Sequence, residues 1–123
     1  MINKNFWKNK KVLITGHTGF KGSWMTLILS DLGAKIVGYA LNPIEKRNLF
    51  DDLNLSKYLT NDYRDNILNF NKIKRVINNI KPNIIFHLAA QSSVVASYKN
   101  PKDTINVNVM GTANLLEAAQ QCK

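Results

Sequence analysis

Lys11-Val12-Leu13-Ile14-Thr15-Gly16-His17-Thr18-Gly19-Phe20-Lys21-Gly22-Ser23-Trp24 decides how this chain folds. Its β-branched start reads as a strand. The glycines that follow, G-x-x-G-x-x-G, open a segment from Phe20 to about Leu32 with apolar residues at Trp24, Leu27, Ile28 and Leu32, a helical spacing. Strand, glycine turn and helix in that order make the phosphate-binding corner of a dinucleotide fold. Gly16 permits the tight turn, Gly19 lets a diphosphate approach the backbone, and Gly22 allows the helix to pack close to the strand. The helix N-terminus adds free N–H groups and a positive dipole end. A nucleoside-triphosphate loop would need G-x-x-x-x-G-K-[ST]; here Lys21 precedes Gly22-Ser23, so that spacing fails. The competing reading is a glycine turn that binds nothing.

Working outward, short β-branched runs alternate with helical ones, the pattern of βαβ units around a parallel sheet. Lys35 to Leu41 reads as strand two, closed by Asn42-Pro43. Glu45 to Leu55 reads as a helical turn, and Tyr58 to Asp62 as a short strand three. A helix over Asn66 to Ile80 carries Ile67, Phe70, Ile73, Val76, Ile77 and Ile80, and Lys81-Pro82 ends it. Strand four, Asn83 to Leu88, continues into Ala89-Ala90-Gln91 as an apolar run suited to burial on both faces. After a loop, Pro101 starts a last helix from about Lys102 to Gln121. Ile105, Val109, Ala113, Leu116 and Ala119 line one of its sides; Val107, Met110, Leu115 and Ala118 crowd another. One side can cover the sheet, and the other needs further chain or a second subunit. The expected fold is α/β: a Rossmann-like, doubly wound parallel sheet, incomplete at about four strands. On this reading residues 1–123 are the N-terminal part of a dinucleotide-binding domain, without a substrate domain.

With 123 residues the chain holds one domain at most. Cys122 is its single cysteine, so no internal disulfide or thiolate zinc site can form; a reducing compartment, the cytoplasm, is the expectation. No residues suggest a bound metal. No apolar run reaches the roughly 20 residues that span a bilayer, and Val12-Leu13-Ile14 is too short for a signal-peptide core. The net charge of +9 does not argue for a nucleic-acid partner: 14 of 17 basic residues are lysine, scattered along the chain, beside 17 asparagines and 12 isoleucines. Those three residue types share A/T-rich codons, so genome composition accounts for the bias.

Dinucleotide sites usually carry an acid at the end of strand two for the adenosine ribose. Tyr39-Ala40-Leu41-Asn42 has none, and the first acid is Glu45. Asn42 could bond a ribose hydroxyl, whereas Lys46 and Arg47 could neutralise a 2′-phosphate, so these residues leave NAD and NADP evenly matched. His87, inside an apolar strand, reads as a hydrogen-bonded core histidine. His17 either donates to phosphate or shapes the turn, and Trp24 and Met25 read as packing.

GHTGFKGSW at Gly16 to Trp24, GYALNP at Gly38 to Pro43, NDYRD at Asn61 to Asp65, FHLAAQ at Phe86 to Gln91 and NVMGTANLLEA at Asn108 to Ala118 resemble the CDP-glucose 4,6-dehydratases. These belong to the extended short-chain dehydrogenase/reductase superfamily. The resemblance runs from about Phe6 to the last residue, and Lys21-Gly22-Ser23-Trp24 is its most particular part. It implies a tightly held NAD, a nucleotide-sugar substrate, CDP-glucose, and a homodimer through the helix at 102–121. Carried over by position, Gly16, His17, Thr18, Gly19, Phe20, Lys21 and Gly22 would meet the diphosphate, and Asp62 and Tyr63 would border the adenine. Leu88, Ala89, Ala90 and Gln91 would flank the ribose and nicotinamide, and Asn108 would match the asparagine of the superfamily's catalytic tetrad.

Two departures bear on the substrate. Ser92-Ser93-Val94-Val95 follows Gln91, closer to GDP-mannose 4,6-dehydratases, and Val95 stands where the family's arginine is expected; Val107 also replaces a threonine common before the helix asparagine. The superfamily's acid/base pair is Y-x-x-x-K. Tyr98 and Lys102 have that spacing but sit before the last helix with Pro101 between them, so they read as a decoy. The expectation is that this polypeptide alone binds a dinucleotide weakly if at all and turns over no sugar nucleotide. The rival reading is a sugar-nucleotide epimerase piece, or a non-catalytic module that senses dinucleotide or docks through its last helix.

Overall fold

The computed structural model describes residues 2–122. Four strands, β1 (Lys11–Thr15), β2 (Lys35–Ala40), β3 (Leu59–Arg64) and β4 (Ile84–His87), form one parallel sheet in the order β3-β2-β1-β4. Side chains alternate faces along a strand, and β1 divides accordingly. Val12 and Ile14 pack with Ile36 of β2 and with Leu29 of α2 (Phe20–Asp31). Leu13 turns to the other face, among Val37, Tyr39 and the Ile73, Val76 and Ile77 side chains of α4 (Phe70–Ile80). Leu115 and Ala118 of a later helix, Gly111–Gln120, complete that second layer. Helices therefore cover both faces of a parallel sheet, as the doubly wound reading requires.

Several boundaries differ from the sequence reading. The helix expected from Asn66 begins only at Phe70, because Asn66 and Asn69 bond their own backbone: Asn66 Oδ1 accepts from the Leu68 amide at 3.0 Å and Asn69 Oδ1 from the Lys72 amide at 3.2 Å, which makes Asn69 the N-cap. β4 is half-buried, not sealed on both faces, since among the described residues it pairs only with β1 and forms a sheet edge. It also ends at His87, and Leu88 to Gln91 leave the sheet as a loop.

A short helix α1 (Lys4–Trp7) precedes β1; α3 (Leu49–Asp52) lies within the stretch Glu45 to Leu55 read as a helical turn, and a 3-10 turn (Leu55–Tyr58) follows it, so that β3 starts at Leu59, not Tyr58, and runs on to Arg64. The loop after β4 contains a further helix, α5 (Val94–Lys99), capped by Ser93, whose Oγ accepts from the Ala96 amide at 3.2 Å. The last helix is not continuous. It runs as α6 (Pro101–Ile105), a π-helical turn (Asn106–Met110) and α7 (Gly111–Gln120). Its two sides separate as the sequence implied: Leu115 and Ala118 are buried, whereas Ile105, Val109 and Leu116 face solvent. Met110 falls on the exposed side, contrary to its grouping with Leu115.

α2 holds the largest surprise. Its buried face is Gly22, Ser23, Thr26 and Leu29, while Trp24 and Ile28, which gave the helical spacing, are about half exposed. Small and hydroxyl residues face inward because the helix lies close against the strand; Thr26 Oγ1 satisfies itself on the Gly22 carbonyl at 2.9 Å.

Candidate functional site

The C-terminal ends of β1, β2, β3 and β4 converge on one edge of the sheet, where ligands of such folds bind. The loop after β1 is tight: the Gly16 amide donates to the Tyr39 carbonyl at 2.9 Å and the Gly19 amide to the Gly16 carbonyl at 3.1 Å. Gly16 has φ +75°, and a Cβ there would stand 2.6 Å from the Ala89 nitrogen. Gly22 is equally constrained, since its Cβ would overlap the Gly16 carbonyl oxygen and lie 2.6 Å from His17 Cα. Gly19 differs. At φ −77° it suits any residue, and its Cβ would meet only the Gly16 oxygen at 3.4 Å, ordinary contact. It is also the N-cap of α2, and no side chain among the described residues caps that helix. The first-turn amides of a helix lack internal partners. The chain itself needs Gly16 and Gly22; the free space at Gly19, beside uncapped amides, suits an anion that approaches the backbone.

Phe20 is 72% exposed and Lys21 lies at the surface, both at the mouth of this turn. Thr18 Oγ1 donates to the Leu41 carbonyl at 3.0 Å and ties the loop to the end of β2, next to exposed Asn42. The His17 ring turns inward and is fully buried, so its side chain shapes the turn and does not reach a phosphate outside it. It lies over Gly38, where a Cβ would come within 2.5 Å of three ring atoms. Its Nε2 is 2.9 Å from Asp62 Oδ1. Asp62 also receives a two-pronged guanidinium, Arg64 Nε on Oδ1 and Nη2 on Oδ2, each at 2.7 Å. Arg64 stacks over Phe50 at 5.0 Å, and Phe50 stands edge-on to His17 at 5.3 Å. Tyr63, beside Asp62, is half-buried and pairs in register with Tyr39. Neither Arg64 nor Phe50 was singled out in the sequence. NDYRD held the signal for Arg64, two residues beyond an acid on the same face of a strand.

A second network organises the other end. The Leu88 amide is shared between the Thr15 carbonyl at 3.0 Å and Thr15 Oγ1 at 3.1 Å, and the Ala89 amide donates to Oγ1 at 3.3 Å. With both lone pairs taken, its hydrogen goes to His87 Nδ1 at 2.7 Å, which fixes the tautomer. His87 Nε2 then donates to Thr112 Oγ1 at 3.0 Å, and Thr112 donates to the Asn108 carbonyl at 2.6 Å. His87 is thus the satisfied histidine the sequence reading expected. The Asn108 side chain accepts from the Gln91 amide at 2.8 Å and donates to the Gln91 carbonyl at 3.0 Å. Gln91 in turn donates to Thr104 Oγ1 at 2.8 Å. Asn108, expected at a catalytic position, has both ends of its amide engaged on backbone, so in this chain it positions the Leu88–Gln91 loop. Tyr98 is 85% exposed on α5.

Burial holds the pKa of His17 below the usual histidine value, against the opposing pull of the Asp62 charge, with Arg64 adding to the depression. Burial likewise lowers His87. Burial alone would raise Asp62, but the Arg64 hydrogen bonds and the neighbouring positive charge bring it below its ordinary value. Histidines that are harder to protonate when folded stabilise the fold fully above their unfolded pKa of 6.5, and that contribution is lost as pH falls towards the folded values. The midpoint of thermal unfolding should be level between pH 7 and 8 and decline as pH drops below 6.5; a scan that rises on acidification would contradict the assignment.

Among the described residues no helix is long and apolar enough to cross a membrane, and no group of three His, Cys, Asp or Glu could hold a metal ion. A family model described as GDP-mannose 4,6 dehydratase matches residues 13–123. The chain is 46% identical over 121 residues to a CDP-glucose 4,6-dehydratase of Salmonella typhimurium, an alignment covering 98% of this chain and 33% of that protein. It is 30% identical to a GDP-mannose 4,6-dehydratase of Vibrio cholerae, over 89% of this chain and 31% of the relative. Among solved structures, Thermus thermophilus UDP-glucose 4-epimerase in complex with NAD superposes with a TM-score of 0.79 at 31% identity, covering 90% of this chain and 34% of that one. The chain therefore spans about a third of the length of the relatives it matches.

Proposed function

The chain belongs to the GDP-mannose 4,6-dehydratase family, and from that premise we propose that it forms the dinucleotide-binding part of a nucleotide-sugar 4,6-dehydratase whose substrate is CDP-glucose. The observation that carries the reading is Gly19, a glycine the chain does not need for itself, set at the uncapped start of α2. Backbone amides from Gly16 to Gly22 would hold the diphosphate, with Phe20 and Lys21 beside it. Asp62 and Tyr63 would border the adenine, Asn42 would bond the ribose, and Leu88, Ala89, Ala90 and Gln91 would flank the nicotinamide side. NAD is favoured over NADP because the NAD-bound epimerase shares this fold at 31% identity. The chemistry the dinucleotide supplies when bound is reversible hydride acceptance at C4 of the sugar, with return to C6 after water is lost across C5 and C6. This chain's residues bind and orient; the tyrosine and lysine of Y-x-x-x-K are not among them, and Asn108 acts by fixing the Gln91 backbone.

CDP-glucose is favoured by the 46% identity to a CDP-glucose 4,6-dehydratase, against 30% for a GDP-mannose enzyme. GDP-mannose is the second reading, because Ser92-Ser93-Val94-Val95 leans that way. The exposed Ile105, Val109 and Leu116 stripe suits a second subunit packed helix to helix.

Calorimetric titration of the purified chain should show NAD binding more tightly than NADP; equal or tighter NADP binding would overturn the cofactor choice. The chain mixed with NAD and CDP-glucose should give no alkali-absorbing 4-keto product, whereas a longer polypeptide containing it should form that product from CDP-glucose in preference to GDP-mannose.

A further inference from the structure

We propose that His17 is a positioning residue for the dinucleotide, a clasp that ties the glycine turn after β1 to the Asp62–Arg64 pair on β3 so that the diphosphate and adenosine ends of the site are set as one unit. The proposal rests on the dinucleotide reading above and concerns a side chain that never touches the ligand.

The ring is fully buried and fills the space over Gly38 that any larger residue would occupy. Asp62, as a carboxylate, can only accept, so Nε2 carries the hydrogen across the 2.9 Å link. A neutral ring then leaves Nδ1 bare; it is buried and makes no hydrogen bond among the described residues, although the Tyr39 backbone next to the ring favours its protonated form. That is the informative detail. A phenyl ring would fill the same space without an unpartnered nitrogen, so packing alone does not call for histidine. What imidazole adds over phenyl is the single N–H aimed at Asp62. Among the described residues the carboxylate is otherwise held from its own strand, by Arg64 two residues on, and both belong to β3. His17 reaches this pair from the glycine turn, and Phe50 closes the circuit by contacting both His17 and Arg64. A shift of the turn is thereby transmitted to the carboxylate bordering the adenosine end, and the reverse.

His17→Phe separates the clasp from the packing, because it keeps a ring over Gly38 and deletes the donor. In calorimetric titrations of the full chain it should melt near the wild-type temperature yet bind NAD about tenfold more weakly, the usual scale for one hydrogen bond to a charged group. His17→Gln, which retains a donor, should recover most of that loss. Asp62→Asn should lose a comparable factor. The His17→Phe/Asp62→Asn double variant should lose no more than the larger single, since both remove one link. ADP, which carries the adenosine and diphosphate ends, should show the same pattern. A His17→Phe variant that binds as tightly as wild type, or losses that multiply in the double variant, would overturn the clasp while leaving the dinucleotide reading intact. Absence of NAD binding both by the wild-type chain and by a longer polypeptide containing it would overturn both. Should His17→Phe not fold, long-range 1H–15N NMR of the wild type decides: hydrogen on Nε2 with Nδ1 bare supports the clasp, and hydrogen on Nδ1 overturns it.

Discussion

Gly19→Ala is expected to leave the fold as stable as wild type while weakening NAD binding at least about tenfold, and Gly22→Ala is expected to unfold the turn. The two glycines lie three residues apart, and one motif covers both, yet they answer to different constraints. At Gly19 the backbone is extended and an added Cβ meets one oxygen at 3.4 Å. Alanine there restricts the unfolded chain, a gain of about 0.4–1 kcal/mol, which offsets its poorer fit than glycine at a helix N-cap. Any loss of affinity must then come from the methyl group standing where phosphate oxygens approach the amides. At Gly22 the sign depends on two opposing effects. Alanine inside a helix gains about 1 kcal/mol over glycine. Its Cβ would overlap the Gly16 carbonyl oxygen and crowd His17 Cα, both backbone atoms that cannot swing aside. Overpacking of that kind costs about 1–3 kcal/mol even where flexible side chains can yield, so the clash wins. Thermal melts and NAD titrations of the two variants separate the roles; equal melting temperatures would show that Gly22 is not a packing glycine.

That contrast marks how far the sequence could be read. The β1–turn–α2 unit was legible because strand, glycine spacing and helix are local signals, and β1 and the start of α2 stand where the pattern put them. Its energetics were not. Trp24 and Ile28 supplied the periodicity yet face solvent, because the distance between α2 and β1 is set by Gly22, Ser23 and Thr26, whose small side chains carry no hydrophobic signal. α5 was missed because six residues with exposed Val94, Val95 and Tyr98 bury no periodic face; only Ser93 marked its start. The π turn at Asn106–Met110 was invisible because it inserts a residue into an otherwise continuous helical pattern. Resemblance brought Asp62, Gln91 and Asn108 into consideration, but not their partners. His17 to Asp62 spans 45 residues and Asn108 to Gln91 spans 17, and neither separation leaves a periodic trace.

Asn108→Ala is the second large effect to be expected. Its amide closes a two-bond ring with Gln91, accepting from the backbone N–H and donating to the backbone C=O. Removal strands both groups in a half-buried loop at about 1–1.5 kcal/mol each, together about 2–3 kcal/mol. For a domain of this size that corresponds to a fall of roughly 10 °C in the melting midpoint. Asn108→Asp discriminates the ring from simple bulk. It keeps the acceptor for the Gln91 amide but turns a second carboxylate oxygen toward the Gln91 carbonyl, so it should be no more stable than alanine despite its nearly identical shape. The effect should also travel. The Asn108 carbonyl takes the Thr112 hydroxyl, Thr112 takes His87 Nε2–H, and His87 takes the Thr15 hydroxyl that holds the Ala89 amide. Loosening the π turn therefore releases the loop from both ends, and amide exchange should speed up at Ala89 and Gln91 but not at Leu88, whose amide keeps the Thr15 carbonyl at 3.0 Å, nor in β2, whose partners on either side are untouched. Thr112→Val, which cuts the same chain but leaves the Gln91 ring closed, should speed exchange at Ala89 while Leu88 and Gln91 stay protected; uniform acceleration across the sheet would show instead that Asn108 supports the fold at large.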